Sequence, residues 1–117
     1  MAKSILQSGR YCILTLDDRT IYLDKHHVFG GSNRDRSERM GLWIYVRKDL
    51  HNVSRESIHQ NAELNRTIKK WAQRKCMEHY DMTVDEFIRE FGKNYLLNDE
   101  DYDIEIEGMR LIHCTEG

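Results

Sequence analysis

Two adjacent histidines followed closely by a glycine pair, in Asp24-Lys25-His26-His27-Val28-Phe29-Gly30-Gly31, constrain this chain more than any other stretch. A β-like run leads up to them, and Gly30-Gly31 turns the backbone away. Neighbouring side chains on a strand point to opposite faces, so His26 and His27 are not expected to share one task. One can hold a metal while the other works on a substrate. His51 and His59 follow, placing four of the six histidines within 34 residues. A surface pair in a loop is the alternative reading; the two downstream histidines favour a constellation.

At 117 residues the chain is long enough for one domain with a small core. No apolar run approaches the roughly 20 residues needed to span a bilayer, and the first residues contain no apolar stretch long enough for a secretory signal. A membrane partner is therefore not expected. Three cysteines, Cys12, Cys76 and Cys114, are odd in number and widely spaced. They argue for a reducing, intracellular setting rather than a disulfide framework. The net charge of −2 hides an uneven distribution. Residues 1–98 hold 17 Lys and Arg against 13 Asp and Glu, whereas residues 99–117 hold one Arg against seven acids. A moderately basic body suits a polyanion and an acidic tail does not. The chain accordingly divides into a body, 1–98, and an acidic tail, 99–117, packed on it or extending from it.

Local patterns predict an α+β fold. Residues 11–16 and 20–23 are β-rich around the polar break Asp17-Asp18-Arg19, the pattern of an N-terminal β-hairpin. Residues 32–39 are polar and basic and read as a loop or one helical turn ended by Gly41. Residues 42–46, Leu-Trp-Ile-Tyr-Val, read as a short buried strand. One long helix is expected to begin within residues 54–57 and run to Tyr80. Its inward stripe would hold Ile58, Ala62, Asn65, Ile68, Ala72, Cys76 and Tyr80, widened by Leu64 and Trp71. The opposite face carries Arg66, Lys69, Lys70, Arg74 and Lys75, a solvated face or a phosphate-contacting one. Thr83-Val84-Asp85-Glu86 is a capping box opening a short helix with Val84, Phe87, Ile88 and Phe91 inward, stopped by Gly92. Residues 102–113 alternate around Glu107-Gly108 as in a C-terminal acidic β-hairpin.

The segments His26-His27-Val28-Phe29-Gly30-Gly31, Ser37-Glu38-Arg39-Met40-Gly41-Leu42, His51-Asn52 and Ile58-His59-Gln60-Asn61 together resemble small phage and prophage HNH-type proteins. These are ββα-metal, or His-Me finger, nucleases. The resemblance covers roughly residues 11–95, since Phe91-Gly92-Lys93-Asn94-Tyr95 is also similar to the end of that group. It implies a ββα-metal core and a cytoplasmic protein made in a bacterial host. It implies His27 as the general base that deprotonates a water for attack on phosphorus, a task suited to neutral imidazole. It also implies His26, His51 and His59 as ligands of one divalent ion, with Asn52 and Asn61 holding a ring or the water. An all-imidazole set favours Zn²⁺ or Ni²⁺ over Mg²⁺, which prefers oxygen ligands. Two departures stand out. Of the four positions matching a zinc knuckle only Cys12 is a ligand type, so a second, structural zinc is not expected. The position matching the orienting Asn of the group is Leu42, which bears on catalysis and not on metal binding.

Three functions follow as expectations. The first is a metal-dependent DNA endonuclease or nickase. The second is a catalytically silent metalloprotein that inhibits a DNA-targeting host nuclease, in concrete form an anti-CRISPR protein. Its Asp99, Glu100, Asp101, Asp103, Glu105 and Glu107 would imitate phosphates. The third is a domain whose histidines hold zinc only to staple a small core.

Overall fold

The computed structural model describes residues 3–53, 58 and 61–109. Its architecture is α+β, a two-stranded antiparallel sheet packed among helices. Strand β1 (Leu23–His27) pairs with β2 (Trp43–Arg47), and helix α1 (Arg34–Met40) lies in the connection between them. A single π-helical turn (Asp49–Val53) follows β2. Helix α2 (Ala62–Tyr80), helix α3 (Val84–Phe91) and a 3₁₀ turn (Asp99–Asp103) complete the order.

The ladder sets His27 opposite Trp43, His26 opposite Ile44 and Lys25 opposite Tyr45. Alternation then sorts the strands. Ile44 and Val46 are fully buried in the core with Leu64, Ile68, Trp71 and Cys76 of α2. Lys25, His27, Trp43 and Tyr45 share the other face of the sheet. Phe29, just past the histidines, is buried against Phe87 and Phe91 of α3 and against Tyr95. Buried Ser37 of α1 clips the same turn, its Oγ donating to the Phe29 carbonyl at 2.7 Å and accepting from the Phe29 N–H at 3.2 Å. The chain after β1 is thus pinned from two sides.

Several local expectations hold. Gly41 ends α1 in the left-handed region at φ 74°, where an added Cβ would lie 2.3 Å from the Lys3 carbonyl oxygen. The buried strand expected over residues 42–46 forms at Trp43–Arg47, one position later. Thr83 and Glu86 make the reciprocal capping box of α3, and Gly92 terminates it with φ 87°. Within α3, Phe87 and Phe91 are buried while Ile88 is 37 % exposed, so the inward face is narrower than the sequence pattern indicates.

Other expectations are corrected. The N-terminal hairpin over residues 11–23 does not form. Residues 11–16 close on themselves instead: the Cys12 N–H donates to the Asp17 carbonyl and the Leu16 N–H to the Cys12 carbonyl, both at 2.7 Å. Their apolar side chains Cys12, Ile13 and Leu14 are buried all the same. Local turn bonds satisfied the backbone before a ladder could. Helix α2 begins at Ala62, later than expected, because the Asn61 side chain accepts from the Leu64 N–H at 3.0 Å and caps it there. Ala62 and Tyr80 are exposed, whereas Gln73 is buried. Residues 54–57 lie outside the described residues.

The acidic segment makes no strand among the described residues. The Asp101 carboxylate folds back on the Leu97 and Asn98 N–H groups at 2.8 and 3.0 Å. The Arg74 guanidinium takes the carbonyls of Tyr102 and Ile104, at 2.6 and 2.9 Å. Side-chain bonds to the backbone here displace the ladder a hairpin would need. The second arm of that expected hairpin, from residue 110 onward, lies outside the described residues. No helix among them is long and apolar enough to cross a membrane.

Candidate functional site

Strand alternation separates the two adjacent histidines. Asp24 and His26 share one face, Lys25 and His27 the other. On the first face His26 is buried, and its Nδ1 stands 3.3 Å from Nε2 of His51, delivered by the π-helical turn. The other nitrogen of His51, Nδ1, contacts the Asp24 carboxylate at 3.2 Å, and Lys48 Nζ donates to the same carboxylate at 2.7 Å. The Lys48 ammonium first, and the His51 ring after it, hold the Asp24 carboxyl below its ordinary range against the desolvation that would raise it.

On the second face, His27 Nε2 lies 2.6 Å from Glu38 Oε1. Lys25 Nζ also reaches Glu38, at 2.8 Å from the same oxygen and 3.0 Å from the other. The Lys25 bond first, and the His27 bond next, hold the Glu38 carboxyl below its ordinary range. An ionised carboxylate only accepts, so Nε2 of His27 carries the hydrogen and, in the neutral ring, Nδ1 carries the lone pair. Glu38 thereby fixes the ring orientation and tautomer of His27. Leu42 is fully buried in the core.

Both faces border one cavity of about 260 Å³, lined by Lys25, His26, His27, Gly30, Arg34 and His51. Three imidazoles and two cations meet there without a lining carboxylate. Such a wall suits an anion, and its histidines supply both ligand-type nitrogens and a base.

Of the expected metal ligands, the fold brings His26 and His51 together, and His59 lies outside the described residues. Two nitrogens on one tetrahedral zinc at about 2.0–2.1 Å stand roughly 3.3 Å apart, matching the separation of His26 from His51. Asp24 behind His51 stands where the outer carboxylate of a ligating histidine would be. Among the described residues, no set of three or more His, Cys, Asp or Glu side chains converges on a point.

Asn61 acts as the cap of α2. Asn52 falls in the π-helical turn beside His51, and its side chain lies outside the described part. Cys12 and Cys76 are buried free thiols, and burial first, then Glu90, pushes Cys76 up to about 12.

Sequence reasoning passed over Asp24, Lys25, Arg34 and Glu38. The first two were legible: on a strand, Asp24 shares a face with His26, and Lys25 with His27. Glu38 sits on a separate helix, and no local signal tells which side of α1 meets β1. No family model, characterised protein or solved structure matches this chain.

Proposed function

We propose that this chain is a divalent-metal-dependent DNA endonuclease or nickase of the ββα-metal type, hydrolysing phosphodiesters with His27 as general base. One observation carries the reading. His27, held by Glu38 at 2.6 Å, opens on the same cation-lined cavity as the His26–His51 pair. The element order supports it too: β1 supplies His26 and His27, His51 follows β2, and α2 comes after.

His26 and His51 would hold the ion, with His59 as the third ligand the resemblance implies; imidazole donors favour Zn²⁺ or Ni²⁺. When bound, a divalent cation polarises a phosphate oxygen and offsets charge on the leaving oxygen. The protein's own groups do the rest. Nδ1 of His27 takes a proton from the attacking water. Glu38, fixed through Nε2–H, stabilises the imidazolium that results, and Lys25 keeps Glu38 ionised at the pH where the base works. Arg34 on the cavity wall supplies positive charge for the substrate phosphate.

The inhibitor reading has less support, because half of its acidic surface is engaged. Asp101 is buried against Lys70 at 3.0 Å, Glu105 pairs with Arg74 at 2.9 Å, and Glu107 accepts from the Tyr11 hydroxyl at 2.6 Å. The same contacts weaken the acidic tail's objection to DNA, since part of its charge is neutralised on α2.

Supercoiled-plasmid nicking with Mg²⁺, Mn²⁺, Ni²⁺ or Zn²⁺ tests the proposal. Wild type is expected to nick with at least one ion, and His27→Ala to lose nicking while its metal content is unchanged. Absence of nicking with every ion overturns it.

A further inference from the structure

A second concavity lies on the other side of Trp43 from the histidines. It encloses about 640 Å³, more than twice the histidine cavity, between the N-terminal segment and the outer face of β2. Its floor is aromatic: the rings of Trp43 and Tyr45 meet edge to face with centroids 5.3 Å apart. Its rim carries Lys3 and Arg10, both exposed, with the Arg10 guanidinium 5.0 Å from the Tyr45 ring centroid. No carboxylate lines it, and neither cation makes an ion pair among the described residues. Trp43 is only 8 % exposed, yet its indole Nε1–H has no acceptor among the described residues. A buried indole N–H usually has a partner.

The partition from the candidate centre is thin. Lys25 Nζ sits 4.1 Å from the Trp43 ring centroid while lining the histidine cavity, and Trp43 is the ladder partner of His27. A chain lying in one cavity therefore reaches the other within its next unit or two.

We propose that this groove is a subsite for an unpaired nucleotide of a single-stranded nucleic-acid segment, its base on the half-buried Tyr45 ring beside the exposed edge of Trp43 and its phosphate on Lys3 and Arg10. The chemistry is that of single-strand binding generally, in which a sequence-tolerant aromatic platform works beside a cationic rim. An acidic peptide would satisfy the cations but leave the aromatic floor without a planar partner. The inference deepens the nuclease reading and rests on it for the identity of the polyanion. It implies a preference for nicked, flapped or melted DNA over uninterrupted duplex.

The test is binding of a short oligothymidylate to the full chain in EDTA, so that cleavage plays no part. Emission from the two tryptophans reports the site: Trp43 is expected to be quenched, while Trp71, buried in the core, is not. Trp43→Phe should abolish the quench and keep binding. Lys3→Ala with Arg10→Ala removes two exposed charges and leaves the core intact. It should weaken binding at low salt and flatten the log–log salt dependence by about 0.7, the value for one phosphate contact on a single strand. Tyr45→Leu should weaken it roughly tenfold through lost stacking. Binding without a tryptophan signal, binding indifferent to the Lys3/Arg10 pair, or equal binding of duplex or of polyglutamate overturns the proposal. Plasmid nicking is scored separately. Nicking without oligothymidylate binding rejects the subsite alone, and oligothymidylate binding without nicking rejects the catalytic reading alone.

Discussion

Glu38 shows how much a single side chain decides. The histidine pair is visible in any reading of the chain, but the base proposed at His27 needs a fixed tautomer, and that comes from a carboxylate eleven positions away that donates nothing and accepts from Nε2 at 2.6 Å. Glu38→Ala is expected to lower nicking by about 10–100-fold, the usual effect of removing a supporting partner, with bound metal unchanged. Glu38→Gln should fall between it and wild type, since an amide oxygen still accepts but cannot balance Lys25. Equal rates for Glu38→Ala and wild type would remove Glu38 from the mechanism. Gly41 is the opposite case, a residue whose worth is an absent atom. At φ 74° with a backbone oxygen 2.3 Å from where Cβ would sit, Gly41→Ala combines backbone strain with a collision. Strain alone costs about 1–3 kcal/mol. Gly92→Ala, at φ 87° with nothing within 4 Å, should show strain alone. Chemical denaturation should therefore rank Gly41→Ala as clearly the less stable, and equal losses would contradict the packing of residues 3–5 over α1.

Among elements, helix ends were more legible than strand pairings. Thr83-Val84-Asp85-Glu86 and Gly92 mark α3 because capping depends on residues within one turn of each other. The same local logic misplaced the start of α2: Asn61, a cap residue inside a helix-like pattern, ended the pattern where it stands. Asn61→Ala should cost about 1 kcal/mol of stability. Asn61→Asp should keep most of it, since Asp caps equally well. If Asn61 serves only as a cap, Asn61→Asp also keeps wild-type nicking per folded molecule; a large loss of nicking in that variant would return Asn61 to the catalytic set. Strand pairing failed for a different reason. Residues 11–16 have strand composition and reach the core, but whether their backbone finds a ladder or a turn depends on what lies beside them. Ile13 gives one N–H to the Tyr45 carbonyl at 2.9 Å, and the chain then curls.

For the whole molecule, part of the acidic charge after residue 98 packs on the basic face of α2. Asp101, bound by the Leu97 N–H and then by Lys70, has its carboxyl held below the ordinary range, and Glu105 is held down by Arg74 in the same way. A folded-state value below the unfolded one means that this stabilisation is complete above the unfolded carboxylate value of about 4. It is lost as pH falls through the folded values. Thermal unfolding from pH 6 downward should show wild type losing stability below about pH 4. Asp101→Asn should start from a lower midpoint at pH 6 and lose less on acidification. Parallel curves for the two proteins would mean that the segment contributes nothing through this carboxylate.

What the chain determined by itself was everything set within a few positions: the caps of α3, the glycine stop of α1, the buried strand read at 42–46, and the placement of His26 and His27 on opposite faces that alternation imposes. Only the tertiary structure decided which strands pair, that Glu38 faces His27, that His51 stands 3.3 Å from His26, and that the acidic segment lies on the basic face of α2. The physical reason is range. Capping bonds and side-chain alternation act over one turn or one pleat, whereas ladders and ion pairs between distant segments depend on which packing buries the core best, and short patterns do not carry that information.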